Sequence, residues 1–135
     1  MQTFLPHPSF LDSARCLDRQ RLGKQRVEGY QILRTLLGIS TGWVNHPAVK
    51  MWRGHEYMLR LYTQTCIDEW VRRGYTNNIM LPAVHNAGTI PVWLGNRRLH
   101  SSHRSNLLRK DPIHYGQFNW SDDPSTPYWW PTQES

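Results

Sequence analysis

Long apolar runs are missing from this 135-residue chain. Nothing approaches the roughly 18 residues that a membrane-spanning helix needs, so no span and no membrane partner are expected. A basic-then-apolar secretory start is missing too. Only two cysteines occur, Cys16 and Cys66. Both fall in expected helices and read as reduced core residues of a cytoplasmic protein. Period-two alternation is also lacking, which removes a sheet and leaves an all-α fold. There is no Cys-x-x-Cys pair and no phosphate-binding glycine loop. His55-Glu56 is followed by Leu59 where a zinc-protease helix needs histidine. The seven histidines are scattered, and the best-spaced pair, His100 and His103, has no acid at helical spacing. No metal and no other cofactor is therefore expected.

Acidic residues are few and unevenly placed. All 16 Lys and Arg lie in residues 1–110, against six acids there, which leaves that segment at +10. Residues 111–135 carry four acids and no Lys or Arg. A small domain this basic points to a polyanionic partner, most often nucleic acid.

What is present centres on Leu17 to Leu37. On a helical wheel Leu17, Leu22, Ile32, Leu33 and Leu36 form the core face. The same arc contains Asp18, Arg21, Gln25 and Glu28, a stripe at i, i+3, i+7 and i+10. Charges among leucines demand a reason, because an unpaired buried charge is costly. Two readings are open. Arg21 could staple Asp18 to Glu28, with Asp18 capping the helix. Alternatively the stripe floors a polar cleft in which Glu28, flanked by Leu17 and Ile32, does acid–base work.

Two prolines keep residues 1–8 extended. Ser9 or Asp12 can cap a short helix reaching about Cys16, and Gly38 ends the long helix. Gly23, inside that helix, admits a close approach by a backbone or ligand. His46-Pro47 opens a second helix expected to run to about Arg73, bent at Gly54 and stopped by Gly74. On it Arg60, Arg72 and Arg73 read as a solvated basic face, and Arg53 is the better candidate for a specific contact. Residues 75–96 read as loop. Asn96 can cap a third helix from Arg97 to about Lys110, and a short fourth one spans Pro112 to Gln117. Phe118 to Pro131 is a proline-broken aromatic tail. Its aromatics, Trp120, Tyr128, Trp129 and Trp130, could stack on bases, or Trp129-Trp130 could staple the tail to the core.

Several of these residues have a family look. Met-Gln-Thr-Phe, Ser13-Ala14-Arg15-Cys16-Leu17-Asp18, Arg21, Lys24, Glu28 and Gln31 resemble the N-terminal half of the pyrimidine-dimer DNA glycosylases, the phage endonuclease V type. Helix two, opening on His46-Pro47 and ending on Arg72-Arg73-Gly74-Tyr75, fits the same pattern, as do the Ser102 to Tyr115 block and the aromatic C-terminus. His46-Pro47 and His103-Arg104-Ser105 resemble a bacterial and phage branch. The resemblance implies a compact all-α fold and a duplex DNA partner. It also implies excision of a damaged pyrimidine, with an N-terminal amine as nucleophile and a helix Glu moving protons. Gln2 is large enough to keep the initiator methionine, so the amine would be that of Met1.

The expectation is thus a single-domain helical bundle over residues 1–135, with a long N-terminal helix and an aromatic C-terminal tail. It would act as a monomeric DNA glycosylase, with or without abasic-site lyase activity. Glu28 and Met1 are the chemical candidates, tuned by Asp18 and Arg21. Lys24, Arg26, His46, Arg53, His103, Arg104 and Lys110 are the DNA-binding candidates. Two other readings stay open: an N-glycosidic hydrolase acting on a nucleotide or hypermodified base, and a non-catalytic DNA-binding module.

Overall fold

Serine and aspartate set where the first two helices begin. The Ser9 side chain accepts from Asp12 N and caps α1, Phe10–Cys16. Leu17 is extended, and Asp18 then caps α2, Arg19–Leu36, by accepting from Arg21 N. The long helix therefore starts two residues later than its hydrophobic pattern suggests, because the Asp18 side chain serves the helix end. In the computed structural model, which describes residues 1–131, the remaining elements are α3 (Pro47–Lys50), α4 (Glu56–Arg72), α5 (Arg97–Lys110) and α6 (Pro112–Gly116). All are helices, and among the described residues there is no strand. No described helix is long and apolar enough to cross a membrane.

The expected second helix is two helices. Gly54 adopts φ +84°, a left-handed conformation that a continuing α-helix cannot contain, and α4 restarts at Glu56. Glu56 Oε1 accepts from Gly54 N and steadies the turn. Just before the break, Trp52 is fully buried, stacked on Tyr62 at 5.8 Å and edge-on to Trp93 at 4.9 Å. The Trp93 indole N–H in turn donates to Met51 O, tying the long 73–96 connection to the core.

The main packing is α2 on α4, with α1 on α4 and α5 on α6. Leu22, Ile32, Leu33, Leu59, Cys66, Leu99 and Leu107 fill the centre. Glycines permit the α2–α4 approach. A Cβ on Gly23 would lie 2.9 Å from the Trp70 ring, and one on Gly29 would lie 2.5 Å from Thr63 Oγ1. The close neighbour at Gly23 is thus a ring of α4. Arg72 and Arg73 are not a free basic face, since both donate to the buried Glu69 carboxylate. Those guanidinium hydrogen bonds, Arg72's foremost, pull Glu69 down to a pKa of about 2.

The aromatic tail is a staple over the described part of its length. Trp120 stacks on Tyr115, and Tyr128 and Trp130 pack edge-on against His103. Trp129 N donates to Ser102 Oγ.

The tightest helix contact is open to a direct test. Overpacking at Gly29 costs about 1–3 kcal/mol, against about 1 kcal/mol gained from helix propensity. Gly29→Ala should therefore be destabilising in denaturant melts. In a Thr63→Ala background, which removes the two nearest atoms, the same substitution should be neutral or stabilising. Equal effects in both backgrounds would show that this contact does not limit the helix approach.

Candidate active site

An extended peptide inside a helical protein has no neighbouring strand to satisfy its backbone, so each buried N–H and C=O must find a side chain. Residues 1–8 solve this problem one group at a time. Thr3, Phe4 and Leu5 are buried. Gln25 of α2 donates to Gln2 O at 3.1 Å and accepts from Phe4 N. The Tyr62 hydroxyl of α4 donates to Phe4 O. Thr3 Oγ1 donates to Ala48 O and accepts from the Trp52 indole, both on or next to α3.

Two histidines one turn apart on α5 hold both ends of Leu5. Leu5 N donates to His103 Nδ1 at 2.9 Å. His100 Nε2 accepts from Gly95 N, so its Nδ1–H donates to Leu5 O at 2.8 Å. Burial lowers the pKa of both imidazoles, that of His103 to about 3. Arg104 adds a hydrogen bond to Pro6 O, and the Ser13 hydroxyl bridges the N–H and C=O of His7.

This anchoring delivers the Met1 amine to α2. Its nitrogen lies 3.4 Å from Glu28 Oε1, with the Met1 side chain 3 % exposed and that of Glu28 10 %. Glu28 Oε2 is buried and accepts no hydrogen bond from the described residues. Lys24 Nζ, one turn back, stands 4.0 Å from that oxygen. An amine and a half-satisfied carboxylate in contact are suited to proton exchange.

The pair has a basic surround. Lys110 senses the positive charges of Arg21 and Lys24 and the negative charge of Glu28. Its ammonium donates to Tyr128 Oη at 3.1 Å and lies over the Phe4 and Tyr128 rings. Burial first, then the like-charged neighbours, lowers its pKa. Gln2 Nε2 donates to the same Tyr128 hydroxyl at 2.6 Å. On the other side His46 caps α3 through Nδ1, and burial followed by the charge of the N-terminal amine lowers its pKa.

The structure thus gathers Met1, Glu28, Lys24, His46 and Lys110. Asp18 and Arg21 pair with each other at 3.2 Å, and Tyr115 donates to Asp18 Oδ1. Arg21 therefore does not bridge Asp18 to Glu28. Arg53 donates to Val44 O on the outside of the 38–46 loop.

Three DNA-binding candidates lie elsewhere. Arg26 points off the other side of α2, over the Trp70 ring at 4.9 Å with Nη1 donating to Asn77. His103 is 0 % exposed and holds Leu5 N, so its ring has no surface to offer a phosphate. Arg104 is committed to Asp122 through two nitrogens and to Pro6 O through the third.

Sequence reasoning did not foresee that Gln25, Gln2 and Tyr128 anchor the N-terminal peptide: Gln25 was one member of the polar stripe, Gln2 bore only on retention of Met1, and Tyr128 was one of the tail aromatics. Gln25 had a signal, a polar side chain inside the leucine arc. Tyr128 had none, because its partners are 126 and 18 residues away.

Against known proteins, a family model described as pyrimidine dimer DNA glycosylase matches residues 1–82. That span contains Met1, Gln25, Glu28 and His46. Neither the curated proteins nor the solved structures give a match.

The histidine clamp makes the fold acid-sensitive. His103 has a pKa of about 3 folded against an ordinary 6.5, so the unfolded chain takes up the proton first. Its contribution is whole above about pH 6.5 and declines by about 1.4 kcal/mol per pH unit down to about pH 3. His103→Asn keeps an acceptor near the Nδ1 position without titrating. Stability measured from pH 7 to 4 should fall less steeply in this variant, whatever its absolute value at pH 7. Parallel pH profiles would refute a neutral His103.

Proposed function

The chain belongs to the pyrimidine dimer DNA glycosylase family, and from that premise we propose that it excises a damaged pyrimidine from duplex DNA using the Met1 amine as nucleophile. The observation that carries this reading is the 3.4 Å contact between that amine and Glu28.

The amine attacks C1′ as the free base, and the N-glycosidic bond breaks as the pyrimidine leaves. Glu28 Oε1 stands where it can accept the amine proton, which is what a nucleophilic amine next to a general base requires. Loss of the remaining amine proton and cleavage of the C1′–O4′ bond, with Glu28 returning a proton to O4′, then open the sugar as an imine on Met1. Removal of a C2′ proton expels the 3′ oxygen with its phosphate and nicks the strand, and water releases the enzyme. Glu28 is the acid–base group nearest the adduct throughout. Lys24 and Lys110 supply positive charge for the phosphates flanking the reacting sugar, and Arg21, held by Asp18, extends that charge along α2. His46 flanks the opposite edge.

Burial of the Met1 side chain bears on Gln2. The thioether occupies a protein site rather than the space in front of the amine, so a retained methionine is compatible with attack. Gln2 itself is used, since its carbonyl and amide bind Gln25 and Tyr128.

Borohydride trapping tests the nucleophile. On duplexes carrying a UV dimer or an abasic site, a covalent adduct is expected, mapping by peptide mass spectrometry to Met1. N-terminal acetylation should abolish it. Glycosidic cleavage at the dimer with no adduct, seen as base freed after photoreversal of the cyclobutane ring, would replace the amine by an activated water, with Glu28 alone as catalyst. Glu28→Gln should reduce turnover by about 10²–10⁴-fold with little change in melting temperature. Full activity in that variant would remove Glu28 from the chemistry, and salt-sensitive binding without any turnover would indicate a non-catalytic DNA-binding module.

A further inference from the structure

The acid–amine pair occupies one side of α2, and the adjoining side has no part in the chemistry. There an open cavity of about 670 Å³ lies between α2 and Trp70 of α4. Its lining contains three cations, Arg19, Lys24 and Arg26, and no carboxylate. Round the helix from Glu28, Lys24 comes first, and Arg19 and Arg26 form the far edge. Lys24 therefore belongs to both places, since its ammonium stands 4.0 Å from Glu28 Oε2.

The two arginines are held in an uncommon way for this protein. Arg72, Arg73 and Arg104 are fixed by carboxylates, which cancel their charge. Arg19 lies over the Tyr75 ring at 5.9 Å, and Arg26 over the Trp70 ring at 4.9 Å. Those rings are themselves 4.5 Å apart, and the Trp70 indole donates to Thr76 O at 2.9 Å. Arg26 Nη1 donates to Asn77 Oδ1, a neutral acceptor. Neither arginine has an ion pair among the described residues. A guanidinium laid on a ring face is oriented without being neutralised, and the N–H groups at its edge suit an anion.

Three like charges gathered without a counter-charge repel one another in the free protein, and a polyanion relieves that repulsion. The spacing fits an extended one. Arg19 and Arg26 are seven residues apart, about 10 Å along the helix axis. That is close to three nucleotide steps of about 3.4 Å each.

We propose that this groove holds the phosphodiester backbone of the duplex arm beside the reacting sugar, with Arg19 and Arg26 each taking a phosphate and Lys24 joining the groove to the site. This rests on duplex DNA being the substrate and is independent of the amine's role. The contacts go to phosphate, so they position the duplex and are blind to its sequence and to the lesion.

Equilibrium binding tests the groove, using duplexes with a reduced abasic site, which forms no imine, and with either arm shortened in turn. Arg19→Gln and Arg26→Gln should each flatten the plot of log affinity against log salt by about 0.9, the share of one phosphate. Arg26→Lys, which keeps the charge, should hold the slope near wild type. Arg19 is exposed, so its variant reports on the groove even if loss of the Arg26–Trp70 contact disturbs folding. Shortening the arm that occupies the groove should weaken wild type and leave the double variant nearly unaffected, whereas shortening the other arm should weaken both alike. Unchanged slopes, or equal losses at every duplex length, overturn the groove. Altered slopes with no adduct trapped from an unreduced abasic duplex would refute the amine chemistry and uphold the groove. A wild type that binds no duplex overturns both.

Discussion

The fold depends on satisfying a buried extended peptide without a sheet. From Gln2 to His7 the carbonyl or amide groups described above are answered by side chains of α1, α2, α4 and α5. Leaving even one such group unpaired in the interior costs about 1–3 kcal/mol. The peptide is therefore a hub. Helices that share few direct contacts are joined through it, and α5 reaches α2 and α4 by way of Phe4 and Leu5. Polar residues that would look out of place in a leucine core, Gln25, His100 and His103, are there because the peptide needs them.

Charge is organised around the same demand. Glu69 is paired with Arg72 and Arg73, Asp122 with Arg104, and Asp18 with Arg21 and Tyr115. Asp122 and Asp18 fasten one element to another, and Glu69, paired within α4, also reaches Arg15 of α1 at 3.8 Å. Glu28 differs. Its neighbours are a chain-terminal amine and, 4.0 Å away, the exposed ammonium of Lys24, and one of its oxygens is buried without a hydrogen bond. A carboxylate left incompletely satisfied among fully paired ones has reason to be kept for chemistry.

How much of this could be read from the chain follows from the range of each interaction. The α2 stripe was legible because Asp18, Arg21, Gln25 and Glu28 are neighbours by helical geometry alone. The caps at Ser9, Asp18, His46 and Asn96 were legible for the same reason, being local. The break after α3 was underestimated as a bend, since Gly54 permits either and the packing of Trp52 decides. His103 and Arg104 look like phosphate donors by residue type. Their true partners, Leu5 and Asp122, are 98 and 18 residues away and invisible to any local pattern. The arrival of Met1 at Glu28 was legible only through family resemblance, because it depends on the whole set of anchors along residues 2–7.

A chain terminus is a poor place for precise chemistry, since ends fray unless tied down. Here α2 removes that difficulty by acting as a ruler. Gln25 fixes the incoming peptide, Glu28 meets its amine one turn later, and Thr35, two turns beyond, fastens the loop that presents Trp43. All three lie on one stiff helix at 1.5 Å per residue, so the relative positions of anchor, acid and loop are set by helix geometry. A site built on a helix holds its geometry better than one built on loops alone. The amine and the Trp43 loop, the two parts that would otherwise move, are each one hydrogen-bonded step from that helix. This arrangement is what lets a free chain end hold its amine at a fixed distance from a carboxylate, as the proposed chemistry requires.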